Sequence, residues 1–118
     1  MKKAVIVAFD KFTDIDIFLA WDLLNRVKHR DNEFVVKIVG TEGSHRSIRG
    51  IELAMQGTIE ECNDADLVFF GSGYGARMVI KDEAYLKRFK LFVWKKLKRI
   101  FFLLIKIIRE KTMITCLN

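Results

Sequence analysis

The residues whose types and spacing could do chemistry sit in one turn. In Phe69-Phe70-Gly71-Ser72-Gly73-Tyr74-Gly75-Ala76-Arg77 an apolar run stops at three glycines, each one residue from the next, and a helical pattern begins just beyond. In an α/β sheet this is the carboxyl end of a strand, where ligands meet the protein. Glycine lets the backbone approach a ligand closely. Free N–H groups there can hold a phosphate or a developing oxyanion. Taken alone the glycines read as a strand-to-helix turn, because they match neither GxGxxG nor the Walker spacing. Asp16 taken alone closes a capping box with Thr13 and opposes the dipole of the first helix. His45, between Ser44 and Arg46 in a polar loop, has no evident orienting acid, and adjacent loop residues rarely form a catalytic pair. Arg49 and Arg77 could hold an anion near the turn, although an ordinary surface role suits them better. Cys62 and Cys116 form no metal-type spacing and no disulfide framework, and no metal site is expected.

These residues need a scaffold. Residues 3–9 form a continuous apolar run and read as a first strand buried on both faces. The run is short and lacks a small-residue cleavage site, so a buried first strand is expected in preference to a signal peptide. A helix follows, with Ile17, Ala20, Trp21, Leu24 and Val27 on one face. Phe34–Val39 reads as a second strand closed by Gly40, residues 41–50 as a loop or hairpin, and Ile51–Met55 as a short strand. Thr58-Ile59-Glu60-Glu61 starts a short helix and residues 66–70 form a buried strand. One helical turn over 76–80 and a helix opened by Asp82-Glu83 complete the pattern. This alternation predicts an α/β fold with a parallel sheet sandwiched by helices. With three core strands before residue 90, the sheet looks incomplete at its C-terminal side.

The chain has 118 residues, suiting one domain, and 51% of them are hydrophobic, enough for a core. The cysteine usage makes a reducing, cytoplasmic setting the default. The net charge of +6 is unevenly placed: residues 1–86 carry −3 and residues 87–118 carry +9. A mildly acidic domain precedes a basic tail, so the overall charge does not argue for nucleic-acid binding.

The first 89 or so residues resemble the ThiJ/PfpI family, whose flavodoxin-like fold is shared with class I glutamine amidotransferases. The resemblance rests on Ala8-Phe9-Asp10-Lys11-Phe12-Thr13-Asp14-Ile15-Asp16-Ile17-Phe18 and Trp21-Asp22-Leu23-Leu24-Asn25-Arg26. It continues through Gly57-Thr58-Ile59, Ala65-Asp66-Leu67-Val68 and Gly71-Ser72-Gly73. The nearest branch looks isonitrile hydratase-like, a branch that also supplies sensor domains of AraC-type regulators. The resemblance implies Cys-dependent hydrolase or hydratase chemistry on a small molecule, without a cofactor. It places an acid at Asp16 and an oxyanion turn at Gly71, Ser72 and Gly73, with the Gly73 N–H as donor. A thiolate attacks an electrophilic carbon, the acid moves a proton and the N–H groups stabilise the developing charge. Tyr74 departs from the small residue or Pro expected after that glycine. Family members often dimerise, so a homodimer is compatible with the resemblance.

The nucleophile is the decisive departure. An A-x-C-x-G elbow should follow the Tyr85–Phe89 helix, yet no Gly occurs after Gly75 and no Cys lies there. Cys62 precedes strand 66–70, and Cys116 stands two residues from the last. Residues 90–118 turn abruptly to Lys, Ile, Leu and Phe. They read as a basic amphipathic helix for an anionic membrane surface or a partner, as an alternative completion of the domain, or as an out-of-frame segment. The abrupt change of composition favours the last, giving a family-like portion over 1–89 and a foreign tail over 90–118. The apolar run from Ile100 to Ile105 is too short to span a membrane.

Three functions stay open: a family-type hydrolase or hydratase cut short of its nucleophile, a small-ligand sensor of the same fold, or a membrane- or partner-binding protein acting through its tail. The last predicts that the full chain floats with anionic liposomes and a chain lacking residues 90–111 does not. Failure of the full chain to float removes that function.

Overall fold

Lys2–Val7 forms β1, and Ala4, Val5, Ile6 and Val7 within it are fully buried. Successive side chains of a strand point to opposite faces, so both faces of β1 are covered, as its unbroken apolar run predicts. The computed structural model describes residues 2–30, 34–71, 74–79 and 81–89. In it β1 pairs in parallel with β2 (Phe34–Gly40) on one side, in register from Lys2 opposite Phe34 to Val7 opposite Val39. On its other side β1 pairs in parallel with β6 (Leu67–Phe70), from Ala4 opposite Leu67 to Val7 opposite Phe70. A two-residue strand, β5 (Gly57–Thr58), adds in parallel outside β2, so the sheet order is β5-β2-β1-β6. The β2-β1-β6 portion is the opening of a flavodoxin-like sheet.

The connection from β1 to β2 is α1 (Asp14–Arg30). It turns Ile17 and Ala20 into the core, with Trp21 and Leu24 packed against them. Val27, expected on the same face, is 48% exposed. At about 100° per residue it lies roughly 80° round from Ile17, on the flank. The expected short strand at Ile51–Met55 is β4 (Glu52–Ala54), and it forms a hairpin by pairing antiparallel with β3 (Ser44–Arg46), which lies in the segment 41–50 expected as a loop or hairpin. The short helix after Thr58 is a 3-10 helix, Ile59–Asp64. Its three-residue period places Ile59 and Cys62 on one side, and both are buried. α2 is Tyr74–Val79, and α3 is Glu83–Lys87 with Asp82 as its cap, where Asp82 Oδ1 accepts from the Tyr85 N–H at 3.2 Å.

Strand β6 corrects one expectation. Its apolar run predicts a buried strand, yet Leu67 is 48% and Phe69 38% exposed, whereas Phe70 is buried. Among the described residues β6 is the last strand on its side of the sheet, and only one of its faces is covered. On that covered face Phe70 stacks on Phe9 at 6.3 Å between centroids and meets Phe89 at 6.4 Å, with Tyr85 edge-on to Phe89. No helix among the described residues is long and apolar enough to cross a membrane. Residues 90–118, on which the separate tail and its readings rest, lie outside the described residues.

Two carboxylates of the 3-10 helix tie distant segments together. Glu61 accepts from Lys3 Nζ at 2.9 Å and from Lys37 Nζ at 3.0 Å. Burial alone raises the Glu61 carboxyl, but the two lysine hydrogen bonds outweigh it and hold the group below its ordinary value. Glu60 takes a fork of hydrogen bonds from Arg88, Nη2 at 2.8 Å, and that contact holds its carboxyl at about 2. A carboxyl whose folded value is depressed adds stability above its unfolded value of 4.5, and that stability is lost as pH falls through the folded value. Unfolding midpoints in urea are therefore expected to drop between about pH 5 and pH 2, and Glu60→Gln to flatten part of that slope. An unchanged slope in the variant would show that the Glu60–Arg88 pair contributes nothing, as many exposed pairs do.

Candidate functional site

The parallel strands end together at one edge of the sheet, and the chain crosses from the β2 side to the β6 side of β1. Such a switch point leaves a crevice outside the strand ends. Around it stand the β1–α1 turn, the hairpin and the turn after β6.

The β1–α1 turn is strained. The Phe12 N–H donates to Phe9 O at 3.2 Å, closing a turn in which Lys11 has φ 63°. A non-glycine residue in that region costs about 1 kcal/mol. Hydrogen bonds to the hairpin offset the cost: the Lys11 N–H donates to Arg46 O at 2.8 Å and the Ile48 N–H to Phe12 O at 2.9 Å. Each contributes about 1 kcal/mol.

Two side-chain pairs fasten the hairpin to this turn. His45, 3% exposed, sits against Gly40, where a Cβ would lie 2.5 Å from the imidazole. Its Nε2 accepts from the Thr41 and Glu42 N–H groups at 3.2 and 3.4 Å. With Nε2 an acceptor, Nδ1 carries the hydrogen and donates to Asp10 Oδ1 at 2.9 Å. The second pair is Ser47 Oγ, which donates to Asp14 Oδ2 at 2.7 Å and accepts from the Ile51 N–H at 2.9 Å. Asp14 Oδ1 also accepts from the Arg49 N–H at 3.3 Å.

His45 therefore has the orienting acid that the sequence did not reveal, but both ring nitrogens are committed, so the pair is a fastening. Ser44 plays no part in it, since its hydroxyl bonds to Glu52 at 3.0 Å. The Asp10–His45 contact spans 35 positions and carries no local pattern. Arg49 meets the turn through its backbone N–H, and the Arg77 side chain lies outside the described residues. Among the described residues no group of three or more His, Cys, Asp or Glu side chains is gathered as metal ligands would be.

Of the expected site residues, Asp16 lies half-buried in the first turn of α1, its N–H donating to Thr13 O at 3.1 Å. Gly71 is buried at the end of β6. Ile17, the residue after Asp16, packs on it: a Cβ at Gly71 would lie 3.0 Å from Ile17 Cδ1. The structure thus brings the start of α1 and the start of the glycine turn into contact. Ser72 and Gly73 lie outside the described residues. Gly75, in α2, lies against the β1–α1 turn, where a Cβ would collide with the Asp10 carbonyl oxygen and come within 2.7 Å of the Phe9 ring.

Cys62 lies elsewhere. It is buried in the segment leading into the N-terminal end of β6, whereas the crevice lies at the C-terminal ends of the strands. Burial pushes its thiol up to about 12.

The two glycines predict different costs. Gly75→Ala forces a Cβ into backbone and an aromatic ring, and is expected to lose about 2–3 kcal/mol in urea unfolding. Gly71→Ala meets only the end of a flexible Ile17 side chain, and is expected to lose about 1 kcal/mol or less. Equal losses would contradict the close approach of α2 to the β1–α1 turn.

No family model matches the chain, and no curated protein sequence does. Solved structures are similar to it in fold. One is a two-domain protein from Anabaena variabilis with DJ-1/ThiJ/PfpI-like and ferritin-like domains, at a TM-score of 0.60 and 17% identity over 75% of this chain and 25% of that one. A DJ-1 superfamily protein from Salmonella typhimurium matches at 0.60 and 18% identity, over 75% of this chain and 48% of its own. An AraC family transcriptional regulator from Pseudomonas putida matches at 0.55 and 16% identity, over 72% and 52%. The chain thus spans about half the length of these structures or less. Over its described residues this chain has the fold of the DJ-1/ThiJ/PfpI proteins.

Proposed function

We propose that this chain carries the acid and glycine-turn portion of a small-molecule site of the Cys-dependent hydrolase or hydratase kind, and that by itself it has no thiol-dependent turnover. The observation that carries the reading is the contact of Ile17 with Gly71, which joins the Asp16 turn to the glycine turn at the switch point of the sheet. In this reading Asp16 holds or moves a proton of the bound molecule. Backbone N–H groups of the Gly71-Ser72-Gly73 turn, that of Gly73 first, face negative charge on it. The fold likeness supports the assignment of the two turns.

The burial and position of Cys62 support the absence of turnover. A nucleophilic cysteine reacts as thiolate, and a buried thiol held near 12 is almost wholly protonated at neutral pH. Its segment also enters β6 from the end of the sheet away from the Asp16 turn.

A second reading is favoured by the likeness to an AraC family regulator: the same turns hold a small ligand without chemistry, as in a sensor domain. The two readings share the ligand site and differ in whether the ligand is consumed.

With Cys116→Ser leaving Cys62 as the single thiol, iodoacetamide is expected to leave the folded protein unlabelled and to modify it once urea unfolds it. No turnover of isonitriles or activated esters is expected from the unaltered chain. Turnover lost on Cys62→Ser or on Cys116→Ser would overturn the proposal. A ligand that raises the melting temperature while remaining unconsumed, with the effect removed by Asp16→Asn, selects the sensor reading.

A further inference from the structure

Leu67 and Phe69 stand on the same face of the sheet as Ala4 and Ile6, their partners across the β1–β6 ladder. Strand alternation puts Lys3, Val5, Val7 and Phe70 on the other face. That other face is covered by the 3-10 helix, whose Glu61 bonds to Lys3, and by α3, beyond which Phe89 meets Phe70. The face with Ala4 and Ile6 is therefore the one that α1 covers, packing on β1 and β2. Ala4 and Ile6 are fully buried beneath it, whereas Leu67 and Phe69 are left exposed.

The flank of α1 beside this gap is apolar as well. Phe18, about 100° round from Ile17 on one flank, meets Phe12 edge-on next to the hairpin that follows β2. The opposite flank turns toward β6, and it carries Leu23 and Val27, each about half exposed. A groove thus runs between α1 and β6, with Leu23 and Val27 on its wall and Leu67 and Phe69 on its floor. Contiguous apolar surface of this kind marks a place where another segment packs.

The chain holds such a segment within reach. Phe89, the last described residue, packs against Phe70 of β6, and β6 is the last strand on its side among the described residues. Residues 90–96 can span up to about 23 Å. Passing round β6 from one face of the sheet to the other takes roughly 10 Å, the spacing of packed layers. In residues 97–108 nine of twelve side chains are Leu, Ile or Phe, and the other three are Lys98, Arg99 and Lys106. The run 100–105 is apolar throughout and too short to cross a membrane, and a stretch apolar on every side needs burial. The charges also match. Residues 97–108 hold no acid, residues 1–86 carry −3, and Asp16 and Asp66 stand at the two ends of the groove, at the start of α1 and just before β6.

We propose that residues 97–108 of this chain fold back over the groove between α1 and β6 and cover Leu23, Val27, Leu67 and Phe69. Of the three readings of the tail, this is the completion of the domain.

The test uses the full chain with Cys116→Ser, in which the remaining Cys62 is buried. One reporter thiol at a time is added by Leu23→Cys, Leu67→Cys or Ile15→Cys and labelled with a maleimide. Ile15, about 160° round α1 from Ile17 and exposed, is the reference. The thiols at 23 and 67 are expected to react at least about tenfold more slowly than the one at 15, and to stay so when the protein is diluted about tenfold. Adding Phe101→Glu with Leu104→Glu is expected to bring both to within about twofold of the reference, because an unpaired carboxylate is costly to bury. The proposal is overturned if either thiol reacts as fast as the reference in the otherwise unaltered tail, or if the protection survives the two glutamates. It is also overturned if the protection fades on dilution, which would make a second copy of the chain the occupant. Should one reporter variant fail to fold, the other decides.

Discussion

The parallel pairing of β1 on both of its edges is the constraint on which the rest depends. A strand with neighbours on either side and helices over both faces has no surface left for water, and its middle residues must be apolar without alternation. Ala4 to Val7 meet that demand, with register to β2 on one side and β6 on the other. Parallel neighbours cannot be joined by tight turns, so the chain must return over the sheet between strands. From β1 to β2 it does so as the seventeen-residue α1. From β5 to β6 it uses a six-residue 3-10 helix whose Ile59 and Cys62 complete the core.

Strand direction then decides where function can lie. The segments that leave the C-terminal ends of β1, β2 and β6 gather at one side, and they carry Asp10, Asp16 at the start of α1, His45 in β3, and Gly71. The polar pairs there act as fastenings. His45 and Ser47 hold the hairpin to the β1–α1 turn through Asp10 and Asp14, and the hairpin backbone supports Lys11 in a conformation that costs a non-glycine residue about 1 kcal/mol. α2 can pack against this turn because Gly75 has no side chain to obstruct the Asp10 carbonyl. The same direction carries Cys62 toward the other end of the sheet, where burial keeps its thiol protonated. A buried cysteine in that place serves packing.

Electrostatics play a smaller part and act mainly between segments. Glu61 draws together Lys3 of β1 and Lys37 of β2, each three-quarters to three-fifths covered, so these bonds are less screened than a surface pair. Glu60 and Arg88 fix the end of α3 to the 3-10 helix at the surface, where Asn63 also donates to the Arg88 carbonyl oxygen at 3.4 Å. That attachment positions Phe89 against Phe70, with Tyr85 edge-on to Phe89.

The sequence by itself determined what is local or periodic. The unbroken apolar run of residues 3–9 specifies a doubly covered strand, the three- and four-residue spacing of Ile17, Ala20, Trp21 and Leu24 specifies the inward face of α1, and Asp82 specifies the start of α3. The alternation of these elements was enough for a parallel α/β sheet, because few topologies satisfy it. The turn holding Asp16 and the turn beginning at Gly71 were legible as loops at strand ends, and resemblance to a family added the expectation that they belong together. Only the tertiary structure decided which of these residues touch. The Asp10–His45, Asp14–Ser47 and Ile17–Gly71 contacts join positions 33 to 54 residues apart, and no residue on either side signals its partner. It also decided the exposure of Leu67 and Phe69. An apolar run looks the same in sequence whether the strand lies inside a sheet or last in its order, because a neighbour that covers a face is supplied by another part of the chain.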